Sequence, residues 1–119
     1  MGDRDLGLGL IGAGYWGKNL VRNFARTRGA RLLAVADLVE AHRERAASLA
    51  PEARMTPHFE DLLVDPAISA IAVCTDAPSH HALAKAALLA DKDVFVEKPL
   101  TLKEEDAREL VELAEARGR

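Results

Sequence analysis

The stretch Leu6–Gly17, LGLGLIGAGYWG, constrains this chain more than any other. Leu6, Leu8, Leu10 and Ile11 make an apolar run without proline, and Gly12, Gly14 and Gly17 follow at the spacing G-x-G-x-x-G. The run reads as a buried strand and the glycines as its turn into a helix. Gly12 permits the sharp turn, Gly14 has no side chain to hold a pyrophosphate off the backbone, and Gly17 lets the helix lie close to the strand. A helix that opens inside the motif points its free N–H groups and positive dipole end at the phosphates. The same spacing occurs in plain glycine-rich turns; the strand before it and the helix after it favour a dinucleotide site. Tyr15 and Trp16 fall inside the turn and are expected beside the ligand.

After the glycines, Trp16, Leu20 and Phe24 recur at helical spacing with Val21 beside them, one apolar stripe on which Trp16 is expected to pack into the core. Gly29 is the expected helix stop. Arg31–Ala36 reads as a second strand, closed by Asp37, which stands 20 residues beyond Gly17. A carboxylate at that strand end can accept both hydroxyl hydrogens of an adenosine ribose and repels a 2′-phosphate. Asp37 also suits the N-cap of the next helix, Leu38–Leu49, and the two roles are compatible. A short strand near Arg54–Thr56, a helical piece at Phe59–Val64, an apolar strand at Ile68–Cys74, a helix at Ser79–Ala90 and a strand at Asp93–Val96 follow. Thr101 and Glu104 have capping-box spacing for a last helix that carries Leu110, Leu113 and Ala114 on its apolar face. Strands alternating with helices predict an α/β fold: one three-layer Rossmann domain over residues 1–119, a doubly wound parallel sheet in the order 3-2-1-4-5.

The net charge of −3 and the scattered basic residues give no sign of a nucleic-acid surface. Backbone amides hold phosphate without side-chain charge, so the acidic balance does not oppose a dinucleotide. The single cysteine, Cys74, follows Ile71, Ala72 and Val73 and reads as a buried thiol rather than a nucleophile. The opening MGDRDLGLGL lacks a basic segment followed by a long apolar one, and no run has membrane-spanning length, so the expected place is the cytoplasm. His58 and His81 are expected at the surface, since no second ligand stands at metal spacing.

Several motifs together resemble one family. They are GLIGAGYWGKN at the start, AVAD at the second strand, Thr75 with Ser79-His80 after the fourth, and VFVEKPL at the fifth. The chain resembles, from about Leu6 to Ala116, the nucleotide-binding half of the glucose–fructose oxidoreductase / inositol dehydrogenase (Gfo/Idh/MocA) family. VFVEKPL is the most specific piece. The resemblance implies NAD(P)-dependent oxidation of a carbinol on a sugar, inositol or related ring, with NAD favoured over NADP by Asp37. The GYWGKN variant is similar to members that oxidise nucleotide-linked amino sugars. Glu97-Lys98-Pro99 match the family's EKP, in which the lysine reaches the reacting hydroxyl; Lys98 is thus implied as catalytic and Glu97 as a cofactor neighbour. Read without the family, Lys98 is an ordinary loop lysine. Thr75 and His80 match positions that line the family's cofactor cleft.

Two departures stand out. Asp76 replaces the family's usual proline after the threonine. The family also continues into a sixth strand and a mainly β substrate domain with a catalytic histidine, which these residues do not include. The resemblance therefore implies a cofactor-binding domain without turnover of its own. An exposed fifth strand would then favour a homo-oligomer. The alternative is a stand-alone module that binds NAD or another adenosine ligand, such as coenzyme A, without chemistry.

Overall fold

The computed structural model describes residues 5–119. Residues 1–4, part of the N-terminal stretch read above for a targeting signal, lie outside the described residues. Among the described residues five strands alternate with five α-helices: β1 (Leu6–Ile11), α1 (Gly17–Phe24), β2 (Ala30–Ala36), α2 (Glu40–Leu49), β3 (Arg54–Thr56), α3 (Glu60–Leu63), β4 (Ala70–Val73), α4 (His80–Leu89), β5 (Asp93–Val96) and α5 (Glu104–Arg117), with a 3-10 turn over Ala77–Ser79 before α4. The strands form one sheet in the order β3-β2-β1-β4-β5, and every pair is parallel. This is the Rossmann-type order expected from the alternation.

Period-two alternation along the central strands sends side chains to opposite faces. Leu10, Val35 and Ala72 pack on one face with Val21 of α1 and Ala46 of α2. Ile11, Ala34, Ile71 and Val73 pack on the other with Leu62 of α3 and Ala87 of α4. Both faces of β1 and β4 are therefore covered, and their apolar runs show little polar interruption. Leu88 of α4 and Leu110 of α5 make a third cluster that extends the sheet's cover to Val94 and Val96.

Several local expectations are corrected. Helix α1 ends at Phe24 with Ala25 as its cap; Gly29, at φ 87°, instead makes the turn into β2, where its carbonyl accepts the Leu6 amide at 2.9 Å. Trp16 is not in the core but 53% exposed, because the helix opens at Gly17 and leaves Trp16 on the rim of the turn. The rest of the stripe does pack inward, through Val21, Leu20 and Phe24. Asp37 is not an N-cap, since α2 begins at Glu40 with Val39 before it. Thr101 does not close a capping box either. Its hydroxyl donates to the Lys103 carbonyl at 2.6 Å, α5 begins at Glu104, and Glu104 pairs with Arg108 at 2.7 Å.

One structural device has no sequence signature. Lys92 is buried, and its ammonium donates to the carbonyls of Asp65 at 2.8 Å and Ile68 at 2.5 Å. It thereby ties the approach to β5 to the loop that enters β4. No helix of the described residues is long and apolar enough to cross a membrane.

Candidate dinucleotide cleft

A cleft of about 1230 Å³ runs along the carboxyl ends of the strands. In a doubly wound sheet this is where the chain changes direction between β1 and β4, and the loops part to leave a crevice. Of the ten residues singled out from the sequence, eight line it: Gly12, Gly14, Tyr15, Trp16, Asp37, Thr75, Glu97 and Lys98. Gly17 and His80 do not.

Gly12 sits at φ 98°, and a Cβ there would collide with the Cys74 carbonyl. A Cβ on Gly17 would collide with the Gly12 carbonyl, so Gly17 serves the close approach of α1 to the turn. Gly14 differs. A Cβ there would meet only His42, at 3.5 Å, which is ordinary contact. The fold itself leaves room for a side chain at Gly14, so glycine here keeps the backbone open on the cleft. A diphosphate laid on this backbone at the opening of α1 fits that open place. Tyr15 is exposed and carries the Lys18 ammonium 5.2 Å from its ring centre.

At the β2 end, Asp37 is held by backbone. The Ala13 amide donates to its Oδ2 and the Val39 amide to its Oδ1, both at 2.8 Å. The glycine turn and the β2–α2 turn are thus locked on one carboxylate. His42 Nδ1 lies 3.1 Å from Oδ1 and 3.2 Å from Oδ2. Arg43 donates to the Asp37 carbonyl at 2.8 Å and Arg45 to the Ala13 carbonyl at 3.1 Å, so both guanidiniums are engaged with backbone. Leu38, 85% exposed, follows Asp37 on the cleft wall.

At the β4 end, the Thr75 and Ser79 hydroxyl oxygens lie 2.5 Å apart. Ser79 gives its one hydrogen to the Asp76 carbonyl at 2.8 Å. Thr75 therefore donates to Ser79, and its own lone pairs remain free toward the cleft. His80 lies behind this wall, only 1% exposed. Its Nε2 is 2.9 Å from the Thr75 carbonyl and its Nδ1 2.7 Å from the Pro99 carbonyl. It joins the end of β4 to the segment that carries Lys98, and this inward role corrects its expected place on the cleft lining. The Glu97 amide donates to the Val73 carbonyl at 2.9 Å and continues the β4–β5 ladder by one residue. Lys98, the next residue, is exposed on the cleft, and among the described residues it pairs with no carboxylate. Cys74 is buried at the cleft floor; burial first, and the Glu97 charge second, push its thiol above the ordinary range. It stays a neutral thiol, not a nucleophile.

Three lining groups were not read from the sequence. His42 stands five residues after Asp37, and that spacing is the signal the sequence carries for it. His58, expected as a surface residue, is exposed yet lines the cleft with Phe59 and Glu60, because it follows the carboxyl end of β3, which runs parallel to β2. Ser79 belongs to the motif after the fourth strand and to the expected helix start, with no role of its own expected at the site. His81 lies away from the cleft and pairs with Glu109 at 2.9 Å. Among the described residues no group of three His, Cys, Asp or Glu side chains is placed to hold a metal.

A parallel sheet in this order, with a glycine turn on the crevice and a carboxylate at the end of β2, defines a dinucleotide-binding Rossmann domain. Residues 6–119 match the family model described as the oxidoreductase family, NAD-binding Rossmann fold, of Gfo/Idh/MocA, and the chain belongs to that family. Inositol 2-dehydrogenase of Acidothermus cellulolyticus is 37% identical over 118 residues, covering 98% of this chain and 35% of that protein. The scyllo-inositol dehydrogenase of Lactobacillus casei, solved with NAD(H) and scyllo-inositol, superposes with a TM-score of 0.87 at 25% identity, over 96% of this chain and 34% of that one. Biliverdin reductase of Synechocystis sp. PCC 6803, solved with biliverdin and NADP+, gives 0.89 at 29% identity, over 96% and 36%. The chain thus spans about a third of the length of the relatives it matches.

Proposed function

We propose that this chain binds NAD(H) in preference to NADP(H), and that it serves hydride transfer between a carbinol of a sugar, inositol or nucleotide-linked sugar and the nicotinamide. The observation that carries the cofactor preference is the Asp37 carboxylate on the cleft at the end of β2, followed by apolar Leu38. A 2′-phosphate there meets a negative charge and no free guanidinium, since Arg43 and Arg45 are turned to backbone carbonyls. Gly12 and Gly14 leave the backbone open to the pyrophosphate. Thr75 offers free lone pairs on the β4 side, and Glu97 lines the β5 end.

When bound, the nicotinamide supplies the hydride acceptor or donor. Lys98 stands at the β5 end of the cleft, where a lysine ammonium would stabilise the negative charge that develops on a carbinol oxygen as its proton passes to solvent and its hydride to the nicotinamide. The described residues supply no wall that would hold a polyol in line with the nicotinamide, and orientation of that kind is worth about 7–11 kcal/mol of the barrier. These residues, about a third of the length of the relatives they match, are read as the cofactor-binding part of that reaction. A single domain over residues 1–119, a cytoplasmic place and a homo-oligomeric state belong to the same reading.

Calorimetric titration with both dinucleotides tests it. NAD(H) is expected to bind more tightly, and Asp37→Ala to weaken NAD(H) by about 1–3 kcal/mol through the loss of charged hydrogen bonds. Equal or tighter binding of NADP(H) overturns the preference. Binding of coenzyme A with neither dinucleotide would replace the reading with that of another adenosine-ligand module.

A further inference from the structure

The Asp37 carboxylate offers about four lone-pair positions. The Ala13 amide occupies one on Oδ2 and the Val39 amide one on Oδ1. One remains on each oxygen, and His42 Nδ1 straddles these two at 3.1 and 3.2 Å. A ribose diol that engages the carboxylate through both hydroxyls needs the same two positions. The imidazole stands where the ribose hydroxyls would bind. It has somewhere to go: its side chain is 35% exposed, and it borders the open place above Gly14. Since a carboxylate only accepts, Nδ1 carries a hydrogen in this contact.

We propose that His42 is a specificity-determining residue that makes the choice between NAD(H) and NADP(H) depend on pH. This rests on the dinucleotide reading above. An uncharged imidazole holds Asp37 through one shared hydrogen bond and yields to the ribose diol. A charged one pairs with the carboxylate more strongly and opposes the NAD ribose. Once displaced, the charged ring lies beside the 2′ position and offsets the Asp37 charge that repels a 2′-phosphate. Both effects move the choice toward NADP(H) as the pH falls.

Imidazoles as a class take up their proton between about pH 8 and pH 5. The other charged groups at this end of the cleft are Asp37 just after β2, Arg43 and Arg45 on α2, and Glu60 and His58 from the β3–α3 side. Guanidiniums and carboxylates as classes keep their charge across that range, so His58 is the group that needs a control.

The test is the ratio of the NADP+ to the NAD+ dissociation constant, measured by calorimetry at about pH 8 and about pH 5.5. The proteins are the unaltered chain, His42→Gln, His42→Arg and His58→Gln, each first shown to melt cooperatively. The ratio is expected to fall about tenfold toward acid in the unaltered chain and in His58→Gln, the scale of one charge-assisted hydrogen bond. In His42→Gln it should stay level or rise, because the 2′-phosphate itself loses charge near pH 6. In His42→Arg it should be low at both values. A ratio that does not fall in the unaltered chain overturns the proposal. So does a fall that survives in His42→Gln or vanishes in His58→Gln. Firm NAD+ binding with a level ratio sinks the His42 role alone, whereas binding of neither dinucleotide removes the reading beneath it as well.

Discussion

Gly14 and Gly17 share a motif but answer to different constraints. Gly17 is packed against the Gly12 carbonyl, so a methyl group there must push backbone aside. Gly14 has only the His42 ring within reach, at 3.5 Å. Gly14→Ala is therefore expected to melt within about 1 kcal/mol of the unaltered chain and yet to bind NAD(H) at least about tenfold more weakly, the loss of one good contact to the pyrophosphate. Gly17→Ala is expected to lose about 1–3 kcal/mol of stability. Thermal melts and calorimetry on the two variants separate these outcomes. A Gly14→Ala chain that binds NAD(H) normally would mean that the pyrophosphate does not approach this backbone.

The link between strands β3 and β4 depends on charge. Arg54 at the start of β3 donates to Asp65 Oδ2 at 2.6 Å, and the Ala67 amide donates to Oδ1 at 2.8 Å. The Arg54 hydrogen bond first, and the Ala67 amide second, hold the Asp65 carboxyl below the usual aspartate range. A carboxyl with a lowered folded-state pKa adds stability that is fully present above its unfolded value and is lost as the pH falls through the folded one. Arg54 is largely exposed, so its contribution is about 0.5–1 kcal/mol. Arg54→Met should then be less stable than the unaltered chain at neutral pH, and the gap should close below about pH 4. Urea melts across that range would show it, and a gap that stays constant into acid would rule it out. Lys92 braces the same loop through the Asp65 carbonyl, so β4 enters the sheet between two tethers.

At the scale of the whole molecule, the sheet is unevenly covered. β1 and β4 are buried on both faces, whereas β5 pairs among the described residues only with β4 and offers its outer edge. Phe95 on β5 is 52% exposed, touching Phe24 edge-on with ring centres 6.4 Å apart. An unpaired strand edge beside an exposed aromatic ring is a template for association. The chain is expected to self-associate through this edge, and Phe95→Lys to weaken that association. Light scattering over a range of concentrations checks both; an unaltered chain that stays monomeric when concentrated refutes the expectation.

Much of this molecule was legible in its sequence because the relevant signals are local. Apolar runs of strand length, helical stripes and the glycine spacing depend on neighbours a few residues away. They placed five strands and their order, with the glycine turn and Asp37 at the strand ends, whereas Thr75, Glu97 and Lys98 came from the family resemblance. The misreadings fall where a side chain had a choice of partner. Thr101 and Asp37 both suit helix caps by composition, yet each helix opens three residues later, so the hydroxyl closes a turn and the carboxylate holds the glycine loop. Trp16 belongs to a helical stripe by spacing, yet one residue of displacement at the helix start puts it on the rim. His80 finds its partners at Thr75 and Pro99, and Lys92 at Asp65 and Ile68, across gaps that no periodicity links. A buried polar group takes whichever acceptor the packed elements bring to it, because leaving it unpaired costs more than any local preference. The pattern of elements was therefore written along the chain, while the partners of its buried and cleft-lining polar groups were decided only when the elements packed.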